Sequence, residues 1–312
     1  MGSKIAWIAV DWGTSNLRLW ALDADDRVLE RRQDSRGMGA LTSPEFPIVF
    51  AELARDWLTG APAKPVMVCG MAGATGGWRS APYVDVPARP EDIAGQALVL
   101  DDAPAGARIF LLPGLCQRGA EAPDIMRGEE TQLLGFILRH PTYSGLVCLP
   151  GTHCKWVRVE HGVLTGFTTF ATGELFALLA QHSILRRSLE RPDPPAPADG
   201  GFEAGLAEGQ AAPERLTSLI FRLRAGDVLF ERAAGWNRDN LSGLLIGAET
   251  ATALAGVEAA TPVALLAGGL LRLRYRRAIE RAGFSVDDHD VDDLTLAGLS
   301  YAKTIVLQNA VL

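Results

Sequence analysis

A chain of 312 residues, 48% of them hydrophobic, is long enough for two lobes of ~150 residues, each with its own buried core. Its formal net charge of −7 argues against general nucleic-acid binding, and no apolar run reaches the ~18 residues that a membrane span needs. The four cysteines, Cys69, Cys116, Cys148 and Cys154, form no CxxC pair and sit in or beside apolar runs, which suits small buried thiols in a reducing cytoplasm and offers no metal-ligand spacing.

The chain opens on IAWIAVDWGTSNLRLWAL, Ile5 to Leu22. Ile5 to Val10 has the length of a buried strand, Asp11 ends it, and the residues from Leu17 alternate as a second strand turning back on the first. The run before Asp11 is too short for a signal peptide. At the tip, Gly13 lets a ligand approach the backbone. Successive N–H groups there make an anion nest, to which Thr14 and Ser15 add hydroxyls. Asp11 cannot favour a phosphate by itself; it makes chemical sense as the holder of a divalent cation beside one. An ordinary hairpin turn is the plainer reading.

A third strand is expected over Val28 to Gln33 and a helix over Glu45 to Leu58, with Phe46, Val49, Phe50, Leu53 and Trp57 on one face. Pro65 to Cys69 reads as a buried strand opening into GMAGATGGWRSAPY. A glycine-dense loop at a strand end is where α/β proteins bind ligands, so Gly73 and Trp78 are candidate substrate contacts, against a plain surface loop. Arg108 to Leu112 is the next strand. A helix then starts at Gly128 and ends at Pro141. Its acids, Glu129 and Glu130, either serve the macrodipole or present a general base, and Arg127 beside them can offer a planar fork to a carboxylate.

The first hairpin recurs at Leu146 to Val159, LVCLPGTHCKWVRV. Gly151, Thr152 and His153 stand at its tip, and aligning the two tips sets Lys155 near the place of Arg18 and Leu149 against Asp11. Thr172 caps the next helix, whose polar start includes Gly173 and Glu174; this start either touches a ligand or is a plain cap. The stretch 191–201 is rich in helix breakers and reads as an exposed excursion. Helices are expected over Phe202 to Leu206, Glu214 to Leu223 and Leu241 to Ala255. Gly247 in the last either lets a nucleotide approach or serves close helix packing. LLAGG, Leu265 to Gly269, ends an apolar run and precedes an arginine-rich helix over Leu270 to Ala282, read as a solvated face, with an interlobe or homodimer contact as the alternative. Val286 to Val291 is a strand and Leu294 to Leu312 a closing helix.

Two glycine-threonine hairpins followed by a strand, Gly-Gly and a helix resemble the order found in the actin, Hsp70 and sugar kinase superfamily. The resemblance implies a two-lobed α/β, ribonuclease H-like fold, each lobe a mixed sheet flanked by helices, with a cleft between them. Residues 1–143 would form the N-terminal lobe and 144–312 the C-terminal lobe. In that superfamily the hairpins clamp a triphosphate from opposite lobes and the Gly-Gly turn packs on adenosine, which here implies Gly268 and Gly269. The Gly-Glu-Glu helix start is similar to that of exopolyphosphatases, where the second acid acts on the attacking nucleophile; this favours Glu130, with Glu129 and Asp124 in reserve.

CGM-x-G with Trp78 and APY, PGL before DIMRGEETQLLG, LPGTHCKWV and TGELFALLAQHSIL together resemble the 2-dehydro-3-deoxygalactonokinase family. The resemblance implies ATP- and Mg²⁺-dependent phosphorylation of the 6-hydroxyl of 2-dehydro-3-deoxy-D-galactonate. Asp11 would hold the cation, and Gly13, Thr14, Ser15, Arg18, Gly151, Thr152, His153 and Lys155 the phosphates. Arg127, Gly73, Trp78, Thr172 and Glu174 would lie on the sugar acid side. Leu149 and Pro150 stand where the wider superfamily carries an acid, so Asp11 would serve largely alone. A kinase of another 2-keto-3-deoxy acid and a phosphohydrolase of the exopolyphosphatase type are the alternatives.

Overall fold

The computed structural model describes residues 5–60, 62–190 and 200–309. The breaker-rich stretch 191–199 and the last three positions of the expected closing helix lie outside the described residues. Two compact units are present. The first comprises Met1–Tyr143, Val159–Gly166 and Asp290–Leu312, the second Ser144–Arg158 and Phe167–His289.

In the first unit, β1 (Trp7–Trp12) pairs antiparallel with β2 (Leu17–Leu22), which pairs antiparallel with β3 (Val28–Asp34). Helix α1 (Phe46–Ala54) follows, then β4 (Lys64–Gly70), parallel to β1. β5 (Tyr83–Asp85), α2 (Pro90–Ala94) and β6 (Leu98–Val99) lead to β7 (Ala107–Leu111), parallel to β4. The main sheet has the order β3-β2-β1-β4-β7-β6. β1 is central and buried on both sides. Ile8, Val10 and Trp12 meet Phe46, Val49 and Phe50 of α1 on one face, and Trp7 and Ala9 share a second cluster on the other. A strand buried twice needs no polar alternation, which is why the segment reads as one apolar run.

β5 belongs instead to a three-stranded sheet with β8 (Gly114–Gln117) and β9 (Asp124–Met126), and α3 (Glu129–Arg139) begins just after β9. Nothing in the sequence signals this small sheet: its strands are three or four residues long and bounded by proline and glycine.

A second, five-stranded sheet repeats the strand order of the first. β10 (Gly145–Leu149), β11 (Cys154–Glu160) and β12 (Val163–Phe170) are followed by α4 (Thr172–His182), α5 (Arg186–Glu190), α6 (Gly201–Ala211), α7 (Leu216–Phe230) and α8 (Ala234–Ala253). Then come β13 (Val263–Leu266), α9 (Gly269–Arg281) and β14 (Val286–His289). The sheet runs β12-β11-β10-β13-β14, with β10, β13 and β14 parallel. Two sheets with the order third, second, first, then two parallel strands make this a duplicated α/β architecture of the ribonuclease H-like kind. On α9, Arg274, Arg276 and Arg277 form ion pairs with Asp239, Asp288 and Glu203 inside the second unit.

The closing helix α10 (Val291–Asn309) returns to the first unit. Leu299, Ala302 and Val306 complete the cluster containing Trp7 and Ala9. The compact units are therefore not two contiguous halves of the chain: the last helix packs with the first 143 residues because its apolar face covers the open side of β1 and β4.

Candidate active site

The tip of the first hairpin, 13–16, is held from behind. The carbonyls of Gly13 and Thr14 accept hydrogen bonds from the N–H groups of Met38 and Gly39 at 3.0 and 2.9 Å, and Gly13 N–H closes the turn onto Asn16. Gly37 has to be glycine, because a Cβ there would stand 2.4 Å from the Thr14 carbonyl. Thr14 and Ser15 are exposed at the tip. Directly below, Asp11 faces Arg18 across the β1–β2 pair. The Arg18 guanidinium donates to Asp11 and also to Asp292 in the first turn of α10. Burial works against the Arg18 charge, but the charge and hydrogen bond of Asp11, with Asp292 behind, outweigh it and raise its pKa. Asp292 is a residue that sequence reading missed; it lies 274 positions from its partner and carries no local signal.

Cys69, at the end of β4, points its thiol at Asp11, 3.7 Å away. Burial pushes that thiol well up, and the charges of Asp11 and Glu130 push it further. Asp11 and Glu130 thus both act on the charge of one thiol, and Asp11 also accepts a hydrogen bond from it. Close approach of glycines makes this possible: a Cβ on Gly70 would lie 2.6 Å from the Trp12 carbonyl, and one on Gly128 would meet the Gly70 Cα at 3.4 Å. Gly70 and Gly128 both have positive φ, 85° and 109°, so each allows the contact and the turn together.

Glu130 is fully buried. Its carboxylate accepts from the Gly128 N–H at 2.5 Å and from the Thr131 hydroxyl at 3.1 Å. Its pKa is pushed up to about 7, first by burial and then by the charge of Glu129, against the pull of Arg127 and of backbone N–H donors. Glu129, one position earlier, is only half-buried. Asp124 on β9 accepts from the N–H of Ile125 at 2.8 Å.

Arg127 lies between the small sheet and α3. Its Nη2 donates to the Ala81 carbonyl at 2.9 Å, and its guanidinium carbon lies 4.3 Å from the Tyr83 ring centre. Nε and Nη1 are buried without a hydrogen-bond partner. Gly73 adjoins the same guanidinium, with a Cβ position 2.8 Å from Nη1. Trp78 does not join them as an open platform. It is 4% exposed and packs on Trp12, Phe46 and Phe50, with ring centres 5.8 to 6.4 Å apart. Its place in the glycine-dense loop was the signal for a ligand contact, and the core is what it fills.

In the second unit the tip 150–153 meets the start of α4. A Cβ on Gly173 would stand 2.4 Å from the Gly151 carbonyl, and the Glu174 N–H donates to the Thr152 carbonyl at 2.9 Å. His153 and Glu174 are exposed and pair with each other at 3.0 Å. Gly151, Thr152 and Gly173 line one side of a cavity of about 240 Å³, which Ser242, Arg274 and Tyr275 close from α8 and α9. Gly268 and Gly269 lie at the start of α9, exposed, and a Cβ added at either would meet nothing within 4 Å.

Three candidate residues of this unit have partners within the protein. Lys155 is 4% exposed, and its ammonium donates to the His153 carbonyl at 3.1 Å, bracing the tip from inside. Thr172 lines the cavity, but its hydroxyl is turned inward to Glu249. Glu249 is buried and also accepts from Trp156 Nε1 and Tyr275 Oη, both at 2.8 Å. Gly247 faces α6, where a Cβ would stand 2.7 Å from the Leu206 carbonyl; it serves helix packing. Leu149 is buried at the strand end and no acid stands there.

Comparison with known proteins shows the family. A family model described as 2-keto-3-deoxy-galactonokinase matches residues 11–302. The chain is 43% identical over 302 residues to a protein of Rhizobium meliloti (strain 1021) named as a probable 2-dehydro-3-deoxygalactonokinase, covering 96% of this chain and 97% of that one. It is 38% identical over 293 residues to the 2-dehydro-3-deoxygalactonokinase of Escherichia coli (strain K12), covering 94% and 96%. A crystal structure of a Sinorhizobium meliloti protein provisionally named for the same kinase superposes with a TM-score of 0.88 at 42% identity, covering 96% of this chain and 99% of that one. With the family model spanning the site residues of both units and relatives matching nearly end to end, the chain belongs to the 2-keto-3-deoxy-galactonokinase family.

Proposed function

We propose that this protein transfers the γ-phosphoryl group of ATP to the 6-hydroxyl of 2-dehydro-3-deoxy-D-galactonate, giving the 6-phosphate and ADP. The observation that carries the chemistry is the buried Glu130 carboxyl at the start of α3, whose pKa, pushed up to about 7, matches a general base at neutral pH, with the Asp11 carboxylate below the exposed tip 13–16 as the second acid. In the reaction the hydroxyl oxygen forms a bond to phosphorus, the bond from phosphorus to the ADP oxygen breaks, and the hydroxyl proton passes to a carboxylate. Positioning and electrostatics supply most of the acceleration in such transfers.

Glu130 is the favoured base. Being fully buried, it meets the hydroxyl only after turning away from the Gly128 N–H. Glu129 is the alternative that its half-exposed position favours. In the first unit, Gly13, Thr14 and Ser15 offer donors to phosphate, and Arg18 supplies positive charge. In the second, Gly151, Thr152 and His153 do the same beside the cavity, and Gly268 and Gly269 take the adenosine side. Arg127, next to Gly73, receives the substrate carboxylate, with Glu174 a further polar contact.

Mg²⁺ fits the chain as one carboxylate allows. Asp11 is partly exposed, and an ion that keeps most of its waters needs only one or two carboxylates. When bound, it would neutralise charge on the phosphate oxygens. Among the described residues no helix is long and apolar enough to cross a membrane, and all four cysteines are free and buried, which suits work in a reducing cytoplasm.

The test is ADP release with 2-dehydro-3-deoxygalactonate against its gluconate epimer and no acceptor. Turnover that depends on the galactonate form supports the proposal. Equal or greater turnover of the epimer would reassign the substrate. Phosphate release from ATP without any sugar would make the protein a phosphohydrolase.

A further inference from the structure

Arg127 has an unusual setting for an arginine. Two of its guanidinium nitrogens, Nε and Nη1, are buried with no hydrogen-bond partner, and the third is tied to the Ala81 carbonyl. Leaving buried charged donors unsatisfied is costly unless something outside the chain completes them. The surroundings fix the group without supplying an acceptor for those two nitrogens. The Tyr83 ring lies against the guanidinium, at 4.3 Å from its carbon. That ring is itself set by Gly114, where a Cβ would stand 2.6 Å from the ring edge. Nη1 abuts Gly73, where a Cβ would stand 2.8 Å from the nitrogen and 3.1 Å from the Ala81 methyl, too close for the guanidinium to keep its place. No acidic side chain makes a hydrogen bond or ion pair with Arg127 among those described.

We propose that Tyr83 and Gly73 hold the Arg127 guanidinium as a receptor that a carboxylate completes on binding, and that this receptor is what makes the enzyme choose a sugar acid over a neutral sugar. The inference rests on the kinase reading above and deepens it. Tyr83 and Gly73 are positioning residues: they set where the charge stands, and Arg127 makes the contact. A site built around an unsatisfied donor rejects any ligand that cannot pair with it, so the carboxylate end is read before the hydroxyl is offered to ATP.

The experiment measures KM and kcat for the 2-keto-3-deoxy acid and for its neutral carboxamide, KM for ATP, and the melting temperature, in wild type, Arg127→Lys, Tyr83→Leu, Tyr83→Phe and Gly73→Ala. Losing the ring, or adding one methyl beside Nη1, should raise KM for the acid about 3- to 10-fold, the scale of a cation–π contact or of a misplaced hydrogen bond. KM for ATP, the carboxamide and the melting temperature should stay near wild type. Tyr83→Phe keeps the ring and should keep the wild-type KM. Gly73→Ala is informative even if Tyr83→Leu folds poorly, because its φ lies outside the left-handed region and its closest clash is with the guanidinium itself, the Ala81 methyl at 3.1 Å having to give by only a few tenths of an ångström. Equal losses for acid and carboxamide, or a fall in kcat alone, would overturn the proposal. If Arg127→Lys leaves KM for the acid unchanged while ADP release still depends on the acid, the receptor is elsewhere and the kinase reading stands. If no variant, wild type included, depends on the acid, it is the kinase reading that fails.

Discussion

At the scale of single residues, Glu130 is the group whose surroundings say most. Its folded pKa of about 7 lies above its ordinary value of 4.5. Activity that needs the ionised form should therefore rise with pH through about 7 and level off above it, read as kcat/KM against pH. Glu130→Gln should remove roughly 10²- to 10⁴-fold of turnover, the usual share of proton transfer, while nucleotide binding measured by calorimetry is retained. Near-normal turnover in that variant would move the base to Glu129. The same shift has a stability consequence. The folded state holds this proton more tightly than the unfolded chain, so between pH 4.5 and about 7 the folded state loses ground as pH rises, and above about 7 it carries the full cost of a buried carboxylate. Glu130→Gln carries no such charge. It should melt higher than wild type at pH 8 and show no such gain at pH 4, an outcome thermal denaturation at the two pH values checks directly. Residue types and spacing made Glu129, Glu130 and Arg127 legible in the sequence, because Arg-Gly-Glu-Glu sits at a helix start. The partner that stacks on Arg127 was not: Tyr83 lies 44 positions away, and only the fold brings it in.

Among elements, helix pairs are where the sequence misleads most. In the sequence Gly247 of α8 reads as ligand approach or as close packing, and the structure uses it, with the glycines of α6, for packing. Gly205 and Gly209 of α6 would put a Cβ 2.1 and 2.4 Å from carbonyls of α8, and Gly243 and Gly247 do the reverse at 2.2 and 2.7 Å. Periodicity cannot separate the two uses, since both need a small residue every turn on one face. In the first unit α3 and α10 make the same kind of crossing. A Cβ on Gly135 would stand 2.0 Å from the Leu294 carbonyl, and one on Gly298 2.1 Å from that of Thr131. The obstruction is backbone, which cannot swing aside as a side chain can. Gly135→Ala and Gly298→Ala should each cost about 1–3 kcal/mol or more in denaturant titrations. Because Thr131 bonds to Glu130, Gly298→Ala should also lower turnover, whereas Gly205→Ala in the second unit should leave the pH profile of kcat/KM where it was. The strands were easier to read. β1, β4 and β10 are continuous apolar runs because both faces are covered, and both hairpins announced themselves by Gly-Thr tips between such runs.

For the whole molecule, the repeat of hairpin and parallel strands is visible in the sequence, but the return of the last helix is not. Nothing local in Val291–Asn309 says which sheet it will cover; its apolar face would fit either. The structure places Leu294, Leu299, Ala302 and Val306 in the first unit, at 0 to 9% exposure. Further contacts hold it there: Ser300 and Lys303 both donate to Asp26, and Trp7 Nε1 reaches the same carboxylate at 2.7 Å. Burying Leu294, Leu299 and Val306 contributes ~1.5–3 kcal/mol each, so the helix supplies ~5–9 kcal/mol by these side chains alone. That is comparable to the entire stability of an ordinary domain, ~5–15 kcal/mol. A fragment ending at residue 143 should therefore not fold by itself, despite containing the whole sheet β3-β2-β1-β4-β7-β6. Joining 290–312 to it through a flexible linker, or supplying those residues as a separate peptide, should restore cooperative thermal unfolding, and Leu299→Asp in the added segment should abolish the rescue. A fragment 1–143 that unfolds cooperatively without the helix would show that β1 and β4 can close their open side by other means, and that α10 covers a core already made.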